Sequence, residues 1–380
     1  MKIIYYYWDE YFYNDMREAF EESGATIFTT RKKLTDYTDV EQCNSIFDEF
    51  IDCDVDFIFS FDFYPAIAEY AHIHSVKYVS FVYDCPHLTL YSNTISYNEV
   101  YFFIFDRIQC EEVKRLGAKH VFHQPMVTNA TRLSSIDEHG YNYNISFIGS
   151  LYSNTNYDKI TYLPPNIRGF IDGLIASQYL VPEGDLIENA LSDFQITEMA
   201  KCVQVELDPR FSYTHRIIFE DFIRGKVSSL DRVNALMELS KYYNIDLFSN
   251  IDEYTKNELP NTLLFHPPVD YYNELPIVYR TSKINLNITL RSIKSTWANR
   301  CLDIMASQGF LLSNYKPELA ENFIDGEDCA IFYSIEDLVQ KTDYYLRHDK
   351  LREQIAANGC GKVKDKYTYY NAINYILNHI

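Results

Sequence analysis

The strongest candidate for anion binding is a basic loop within Ile284–Met305. The apolar run Ile284–Ile288 leads into a loop that carries Arg291 and Lys294, and a helix-period stretch begins at Ala298. The N-terminus of a helix leaves backbone N–H groups unpaired and carries a partial positive charge, so it favours negative charge. The loop and the start of the helix are therefore expected to hold a phosphate group.

Two charged residues on the helix predicted after this loop extend the same candidate site. Arg300 and Asp303 are three positions apart, and residues at that spacing share one face of a helix. Arg300 could contact a phosphate, and Asp303 could accept a hydrogen bond from a ribose hydroxyl. The spacing leaves open an alternative, a surface ion pair on an ordinary helix.

A glycine follows the predicted strand Asn144–Ile148 and gives a second candidate anion site. Gly149 and Ser150 come directly after this strand. Because glycine has no side chain, a phosphate or a sugar can approach its backbone closely, and the following amides can donate to it. A simple turn is the alternative.

The sequence Asp84-Cys85-Pro86-His87 holds the candidate residues for proton transfer. It follows the apolar run Lys77–Tyr83. Histidine titrates near neutral pH, and either His87 or Asp84 could take a proton from an attacking hydroxyl as a general base. The alternative is a structural histidine that is bonded to a backbone carbonyl.

Aromatic and acidic residues follow two more predicted strands of the N-terminal half. The run Trp8-Asp9-Glu10-Tyr11 comes after the first strand, and Asp62 and Tyr64 come after the third. Aromatic rings pack on the faces of sugars and carboxylates bind hydroxyl groups, so these loops could receive an acceptor or a sugar. Helix capping and packing at the edge of the core are the alternatives.

Short β-branched and aromatic runs alternate with helix-period stretches along most of the chain, which is typical of parallel sheets wound by helices. The predicted strands are Lys2–Tyr7, Ala25–Thr29, Asp56–Phe61, Lys77–Tyr83, Tyr101–Phe105, His120–His123, Asn144–Ile148, Ile245–Phe248, Thr262–Phe265, Ile284–Ile288 and Phe310–Ser313. The predicted helices are Asp15–Ser23, Val40–Ile51, Pro65–His74, Cys110–Leu116, Arg216–Arg224, Ser229–Tyr242, Glu274–Arg280, Ala298–Ser307, Ile335–Leu346, Lys350–Lys362 and Tyr369–Leu377. Ligands of such sheets bind beyond the carboxyl ends of the strands, where the candidate loops lie.

These elements predict an α/β protein with two Rossmann-like domains. We expect an N-terminal domain over 1–128, a polar linker over 129–143 and a C-terminal domain over 144–366. A helical insertion is expected at about 154–243, after the first strand of the second domain. The last helix, within 367–380, could pack back on the N-terminal domain.

Charge and composition exclude several classes of function. The 380 residues carry a formal net charge of -20, which opposes both nucleic acid and an anionic membrane surface. No run of eighteen apolar residues and no signal-peptide pattern is found, so we expect a cytoplasmic protein without a membrane span. The 8 cysteines form no C-x-x-C pair, so neither a zinc site nor a disulfide framework is expected.

Several stretches of the C-terminal half, together with two weaker ones before it, share their pattern with a known family. They are Pro268–Tyr272, Ser282–Asn287, Arg300–Met305, Gly309–Leu312 and His348–Tyr369, with weaker likeness at Ser146–Tyr152 and Val82–His87. The region from Phe265 to Tyr369 resembles the C-terminal domain of the spore maturation protein B-like (CgeB-like) glycosyltransferases. Because the likeness is spread over about a hundred residues, it is more specific than any single motif.

The resemblance implies a GT-B arrangement, in which the second domain binds a nucleotide sugar, the first binds the acceptor and reaction occurs in the cleft. The implied activity is transfer of a sugar from a nucleoside-diphosphate sugar to a hydroxyl acceptor, such as a cell-surface glycan or a protein, without a metal or cofactor. The donor-side residues would be Gly149, Ser150, Asn287, Arg291, Lys294, Arg300 and Asp303. Asp303 falls where related enzymes carry the ribose-binding acid.

One departure from the related enzymes leaves the mechanism open. Retaining relatives often carry two glutamates spaced E-x7-E, and the earlier position here is Ser295. The stereochemical outcome, retaining or inverting, therefore stays open. A non-catalytic nucleotide-sugar-binding protein and a nucleotide-sugar epimerase remain the alternatives to a transferase.

Overall fold

The computed structural model describes residues 1–380, apart from the side chains of Ile51, Glu253 and Tyr254. Its framework is two six-stranded sheets, and neighbouring strands in each sheet run parallel. Parallel strands need crossover connections, which the intervening helices provide. The predicted α/β class with two Rossmann-like sheets is confirmed.

The first sheet contains six short strands, which are β1 (Lys2–Tyr6), β2 (Thr26–Thr29), β3 (Phe57–Phe61), β4 (Lys77–Val82), β5 (Val100–Ile104) and β6 (His120–His123). The helices around it are α1 (Tyr13–Glu22), α2 (Val40–Phe47), α3 (Pro65–His74) and α4 (Arg107–Arg115), with 3-10 turns at Asp48–Cys53, Leu88–Tyr91 and Asn93–Ser96. The strands lie in the order β2-β1-β3-β4-β5-β6.

The second sheet contains β7 (Tyr143–Ile148), β8 (Ile245–Phe248), β9 (Leu263–His266), β10 (Ser282–Asn287), β11 (Leu311–Asn314) and β12 (Ala330–Phe332). Its strands lie in the order β12-β11-β10-β7-β8-β9. The remaining helices are α5 (Ala130–Ser134), α6 (Pro165–Leu180), α7 (Leu186–Ala190), α8 (Asp193–Cys202), α9 (His215–Ser240), α10 (Glu253–Glu258), α11 (Leu275–Arg280), α12 (Asn299–Ala306), α13 (Pro317–Asn322), α14 (Ile335–Leu346), α15 (Asp349–Lys366) and α16 (Tyr369–Leu377). Within the described residues, none of the helices combines the length and the apolar composition of a membrane span.

The strand order reverses once in each sheet. The chain passes from β1 to β2 on one side and then to β3 on the other, and it passes from β7 to β8 and β9 before it returns to β10. Open parallel sheets bind their ligands beyond the carboxyl ends of the strands at this switch point. The loops after β1, β3, β7 and β10 are therefore where a site is expected.

The chain divides into two compact units. The first unit consists of Met1–Val127, Leu207–Tyr213 and Tyr367–Ile380, and the second unit consists of Thr128–Glu206 and Thr214–Lys366. The stretch 129–143, which we expected to be a linker, holds α5 and belongs to the second unit. Helix α16 belongs to the first unit, where the ring of Tyr375 packs 6.0 Å from that of Phe103.

The insertion contains α6, α7, α8 and α9, which form a hydrophobic core of their own. Helix α9 runs unbroken for 26 residues, whereas we predicted two helices on either side of Gly225. Val227 is completely buried in the insertion core, so tertiary packing carries the helix through Gly225 despite the low helix propensity of glycine.

The segment Leu207–Tyr213 lies between α8 and α9 in the sequence but packs within the first unit. Arg210 forms an ion pair with Asp36 at 2.7 Å, and the backbone N–H of Ser212 donates to the carbonyl of Tyr91 at 2.9 Å. Because the ion pair is half exposed, its contribution to stability is small.

Two glycines of α15 offer a matched test of the packing of this helix. A Cβ on Gly359 would lie 2.4 Å from the carbonyl oxygen of Asp328, whereas a Cβ on Gly361 would meet no atom within 4 Å. Gly359→Ala is therefore expected to lower the free energy of unfolding by about 1–3 kcal/mol. Gly361→Ala should raise it by about 0.5–1 kcal/mol, because alanine favours a helix. Scanning calorimetry measures both changes, and equal shifts in the two variants would show that α15 does not approach Asp328 so closely.

Candidate functional site

Two arginines meet at the carboxyl ends of β7 and β10 in the second unit, and we call them the arginine pair. Arg232, on α9, donates from Nη1 to the carbonyl of Ser150 at 2.6 Å and from Nη2 to that of Ile288 at 2.9 Å. Arg300, on α12, donates from Nη1 to Oδ1 of Asn287 at 3.3 Å. The two loops of the switch point therefore hold both guanidinium groups in place.

The arginine pair carries positive charge without a matching carboxylate. Both guanidinium groups lie near the ring of Phe147, at 5.7 Å for Arg232 and 5.6 Å for Arg300. In the described part of the chain, neither forms an ion pair with an acid. Burial, and after it the charge of Arg300, lowers the pKa of Arg232. A bound anion would relieve this unbalanced charge.

Gly149 lies against the arginine pair. Its φ of 144° is in the region that favours glycine, and a Cβ there would lie 2.5 Å from Nη2 of Arg300. The absence of a side chain thus lets Arg300 reach the end of β7. Four residues predicted for the donor side are brought together by the structure: Gly149, Ser150, Asn287 and Arg300.

The basic loop after β10 differs from the sequence prediction. The Nε of Arg291 donates to Asp231 at 2.6 Å, and the Nζ of Lys294 pairs with Glu188 at 2.7 Å. These partners come from the helical insertion, which sequence spacing could not place against the loop. Arg291 and Lys294 are therefore neutralised by protein carboxylates and fasten the loop to the insertion.

Asp303 is also placed differently from the prediction. Its side chain is only 3% exposed, and its Oδ1 accepts a 2.6 Å hydrogen bond from the hydroxyl of Thr128. The amide of Asn299 donates to the same carboxylate at 3.2 Å. Asp303 is therefore bonded to structural partners, Thr128 and Asn299 among them, and no ion pair with Arg300 is found among the described side chains.

Ser295, which stands at the earlier glutamate position of the E-x7-E pattern, is hydrogen-bonded to another acid. The hydroxyl of Ser295 donates to Oε1 of Glu318 at 2.6 Å, and Glu318 is 1% exposed. Lys316 donates from Nζ to the carbonyl of Leu290 at 3.0 Å, which ties the loop after β11 to the loop after β10. A buried carboxylate therefore lies next to Ser295, the earlier position of the E-x7-E pattern.

In the first unit, acidic residues and one histidine meet at the carboxyl ends of β1, β3 and β4. We call Glu10, Asp62, Asp84 and His87 the acidic cluster. Ligand atoms of Asp62, Asp84 and His87 all lie within 4.8 Å of one another, and this is the one such group among the described side chains that could hold a metal ion.

Asp62 is fixed at the centre of the acidic cluster. Its Oδ1 accepts hydrogen bonds from the backbone N–H groups of Tyr83 at 3.0 Å and Asp84 at 3.2 Å. Its carbonyl accepts from the hydroxyls of Ser60 at 2.7 Å and Ser80 at 2.9 Å. Its φ of 57° is uncommon for a residue with a side chain. Strained residues held by several bonds are typical of functional sites.

The structure distinguishes between the two predicted general bases, His87 and Asp84. The Nε2 of His87 lies 3.1 Å from the backbone nitrogen and 3.2 Å from the carbonyl oxygen of Phe63, so this nitrogen is bonded to the backbone whether it accepts or donates. Asp84 as a residue is exposed to solvent, but the protein around its carboxyl group desolvates the charged form. This desolvation, followed by the charge of Asp62, raises the pKa of Asp84 to about 6, and His87 opposes the shift. Asp84 is therefore the better placed group to take a proton near neutral pH.

The remaining acceptor-side candidates, Trp8, Asp9 and Tyr64, differ in exposure and in their contacts. Asp9 is exposed and pairs with Lys33. Trp8 packs partly buried against the core of the first unit, and its indole N–H has no hydrogen-bond partner among the described residues. Tyr64 is 5% exposed, and its ring packs 4.8 Å from that of Tyr6, so it is a core residue and not a platform for a sugar.

Arg232 is not assigned to a site by the sequence, and Glu10 is predicted only as one member of the run Trp8–Tyr11. Arg232 stood in a helical stretch without a motif, and only its contact with the loops after β7 and β10 reveals it. Glu10 is 5% exposed and accepts hydrogen bonds from the hydroxyl of Tyr5 at 2.9 Å and the N–H of Trp8 at 3.0 Å. An acid within an aromatic run after the first strand was the available signal for Glu10.

The buried carboxyl group of Glu10 predicts a pH dependence of stability. Burial raises its pKa from 4.5 to about 7, and the charge of Asp62 adds to this effect. Because the folded state binds this proton more tightly than the unfolded state, the contribution is present below pH 4.5 and is lost as the pH rises to about 7. The free energy of unfolding should therefore fall by up to about 3 kcal/mol across this range.

Glu10→Gln removes this titration while keeping the shape of the side chain. The variant should equal the wild type near pH 4.5 and exceed it above pH 7, as measured by calorimetric unfolding at several pH values. Identical pH profiles for the two proteins would show that Glu10 is ionised in the folded state with an ordinary pKa.

A family model matches part of the chain, and it includes both residues of the arginine pair. Residues 231–378, which are less than half of the chain, match the glycosyl transferase-like family. The match covers Arg232, β8 to β12 and the loop between β10 and α12. No curated protein matches the sequence.

Solved structures resemble the chain over its full length. Sucrose-phosphate synthase from Thermosynechococcus elongatus has a TM-score of 0.58 at 8% identity, and the alignment covers 100% of this chain and 98% of that one. A glycosyltransferase from Rickettsia africae gives 0.55 at 10% identity, with 99% and 97% covered. Anabaena HepE in complex with UDP-glucose gives 0.53 at 10% identity, with 100% of both chains covered. At such identities the likeness establishes the fold, so the chain has the two-sheet GT-B fold of these structures, and its residues 231–378 match the glycosyl transferase-like family.

Proposed function

We propose that this protein transfers a glycosyl group from a nucleoside-diphosphate sugar to a hydroxyl acceptor. The observation that carries the proposal is the arginine pair, which forms no ion pair with a carboxylate of the described residues and lies beside Gly149 at the switch point of the second sheet. Unbalanced positive charge at this place favours a diphosphate, above all in a chain with a net charge of -20. The family match and the fold support the same activity.

The arginine pair would hold the diphosphate of the donor and stabilise it as it leaves. When the bond between the anomeric carbon and the diphosphate oxygen breaks, its electron pair stays on the diphosphate and adds negative charge there. Fixed guanidinium groups in a partly buried site stabilise that charge without having to reorganise. Ser150 and Asn287 orient the guanidinium groups. Arg291 and Lys294 instead hold the loop after β10 against the helical insertion.

Ribose recognition by Asp303 stays a prediction. The buried carboxylate would have to exchange a structural partner, Thr128 or Asn299, for a ribose hydroxyl.

Asp84 would act as the general base for the acceptor. Its carboxylate takes the proton of the acceptor hydroxyl while the oxygen attacks the anomeric carbon, so one bond forms as the bond to the diphosphate breaks. A single displacement of this kind inverts the anomeric centre. Asp62 and His87 would position the loop of Asp84. The charge of Asp62 also helps to raise the pKa of Asp84.

Several finer assignments belong to the same proposal. We infer membership of the spore maturation protein B-like group from the stretches between Phe265 and Tyr369, and we infer a cytoplasmic enzyme that acts on a surface glycan or a protein and not on nucleic acid. We also infer that transfer needs no metal ion, because the arginine pair supplies the positive charge at the diphosphate. Asp62, Asp84 and His87 could hold an ion, so activity in the presence of a chelator tests this point.

The proposal is tested by incubating the protein with a panel of nucleotide sugars and acceptor glycosides, with and without EDTA, and following the products by mass spectrometry. UDP-glucose comes first, because the structurally similar Anabaena HepE was solved in complex with it. Release of the nucleotide with a glycosylated acceptor is expected. Binding without release would indicate a nucleotide-sugar-binding protein, and an altered sugar still joined to its nucleotide would indicate an epimerase; either result contradicts transfer.

A further inference from the structure

A cavity lies within the second unit, at the carboxyl ends of β10, β11 and β12. Its volume is about 580 Å³, which is within the range of small-molecule sites. One wall comes from α9, and another comes from the end of α6 and the residues after it, Tyr179–Pro182. Arg232 and Arg300, the proposed diphosphate ligands, do not line it.

Aromatic side chains line this cavity. Tyr315 and Tyr333 are stacked with ring centroids 5.1 Å apart at an angle of 30°, and Tyr179 contributes a third ring. Tyr333 remains 43% exposed. Tyrosine offers an apolar ring face and a polar hydroxyl together, which suits a ligand that has both apolar C–H faces and hydroxyl groups.

The charges around the cavity largely compensate one another. Arg291 is paired with Asp231 at 2.6 Å, and Lys241 is paired with Glu238 at 2.5 Å. Lys316 is 6% exposed and directs its Nζ to backbone carbonyls. A phosphate or nucleotide would find no unpaired cation among these three residues, in contrast to the arginine pair. The paired groups can still accept and donate hydrogen bonds to a neutral ligand.

We propose that this cavity binds a neutral saccharide, at a site separate from the nucleotide. Stacked tyrosines, compensated charges and neighbouring amide side chains fit a polyhydroxylated, uncharged ring. The wall from α6 lies outside residues 231–378, which match the family, so the site depends on the insertion of this chain. Such a site would retain a saccharide chain beside the enzyme independently of the donor.

The test uses the full chain and four uncharged disaccharides: maltose, cellobiose, lactose and N,N′-diacetylchitobiose. Saturation-transfer NMR detects binding, and titration gives the affinity with and without saturating UDP. At least one disaccharide should bind in the presence of UDP. Tyr315→Ala and Tyr333→Ala should each weaken that binding about tenfold, whereas Tyr315→Phe, which keeps the ring, should weaken it far less.

Two controls make the outcome decisive. Tyr162→Ala removes a tyrosine of the insertion that is 64% exposed and outside the cavity, and it should leave saccharide binding unchanged. Arg300→Ala should also leave it unchanged, which separates this site from the proposed donor site. Retained melting temperatures show that each variant folds. The proposal is overturned if none of the four disaccharides binds, if neither tyrosine variant changes the affinity, or if UDP displaces the saccharide.

Discussion

Arg300→Ala is expected to weaken UDP binding by about 10- to 100-fold, because a hydrogen bond to a charged group contributes about 1.5–3 kcal/mol. Arg300 is held by Asn287 and has no carboxylate partner among the described residues, so its charge is available to a diphosphate. Isothermal titration with UDP measures the change. Arg300→Lys should recover only part of the affinity, because lysine lacks the planar fork of donors.

The matched control is Arg216→Ala, on α9 in the same unit. Arg216 is paired with Asp193 at 2.7 Å and lies about 24 Å from Arg232 along the axis of α9, so UDP affinity should not change. Gly149→Ala should weaken UDP binding in the same direction as Arg300→Ala, because its Cβ would displace Nη2 of Arg300. If Arg291→Ala abolished binding while Arg300→Ala had no effect, the diphosphate would lie on the basic loop instead.

Asp84→Asn is expected to lower the rate of glycosyl transfer by about 10²- to 10⁴-fold while the affinity for UDP stays unchanged. The amide keeps the size of the side chain but cannot take a proton. The general base must be ionised, so the rate of the wild type should rise with pH through about 6, the pKa of Asp84. Initial rates across this range and UDP titrations measure the two effects separately.

Asp54→Asn serves as the control for Asp84, since Asp54 is exposed and precedes β3, at the opposite end of that strand from Asp62. It should leave the rate and the pH profile unchanged. His87→Gln should slow transfer less than Asp84→Asn, because His87 positions the loop through Phe63. A larger loss in His87→Gln, with a normal pH profile in Asp84→Asn, would assign the base to His87 and contradict the role of Asp84.

The sheets could be predicted from the sequence because their strands are short apolar runs between helix-period stretches. His120–His123 and Ile245–Phe248 were predicted with the bounds that the structure shows. Strand β12 was not predicted, because three apolar residues, Ala330–Phe332, are too short to give a period. The continuity of α9 could not be predicted, since it depends on packing in the insertion core.

The candidate site was predictable only where it follows from topology. Gly149, Asn287 and Arg300 sit at the ends of β7 and β10 or on the helix that follows, and the structure brings them together. Which cation is free to bind an anion depends on the partners that folding supplies. Arg291 and Lys294 received carboxylates from α9 and α7, while Arg232 lies 82 residues from Ser150 and 56 residues from Ile288 in the chain.

A crystal structure with UDP tests the central claim most directly. The diphosphate is expected within hydrogen-bond distance of both Arg232 and Arg300, next to the backbone of Gly149. A diphosphate bound at Arg291 and Lys294, or anywhere away from the arginine pair, would contradict this assignment and the donor site proposed from it.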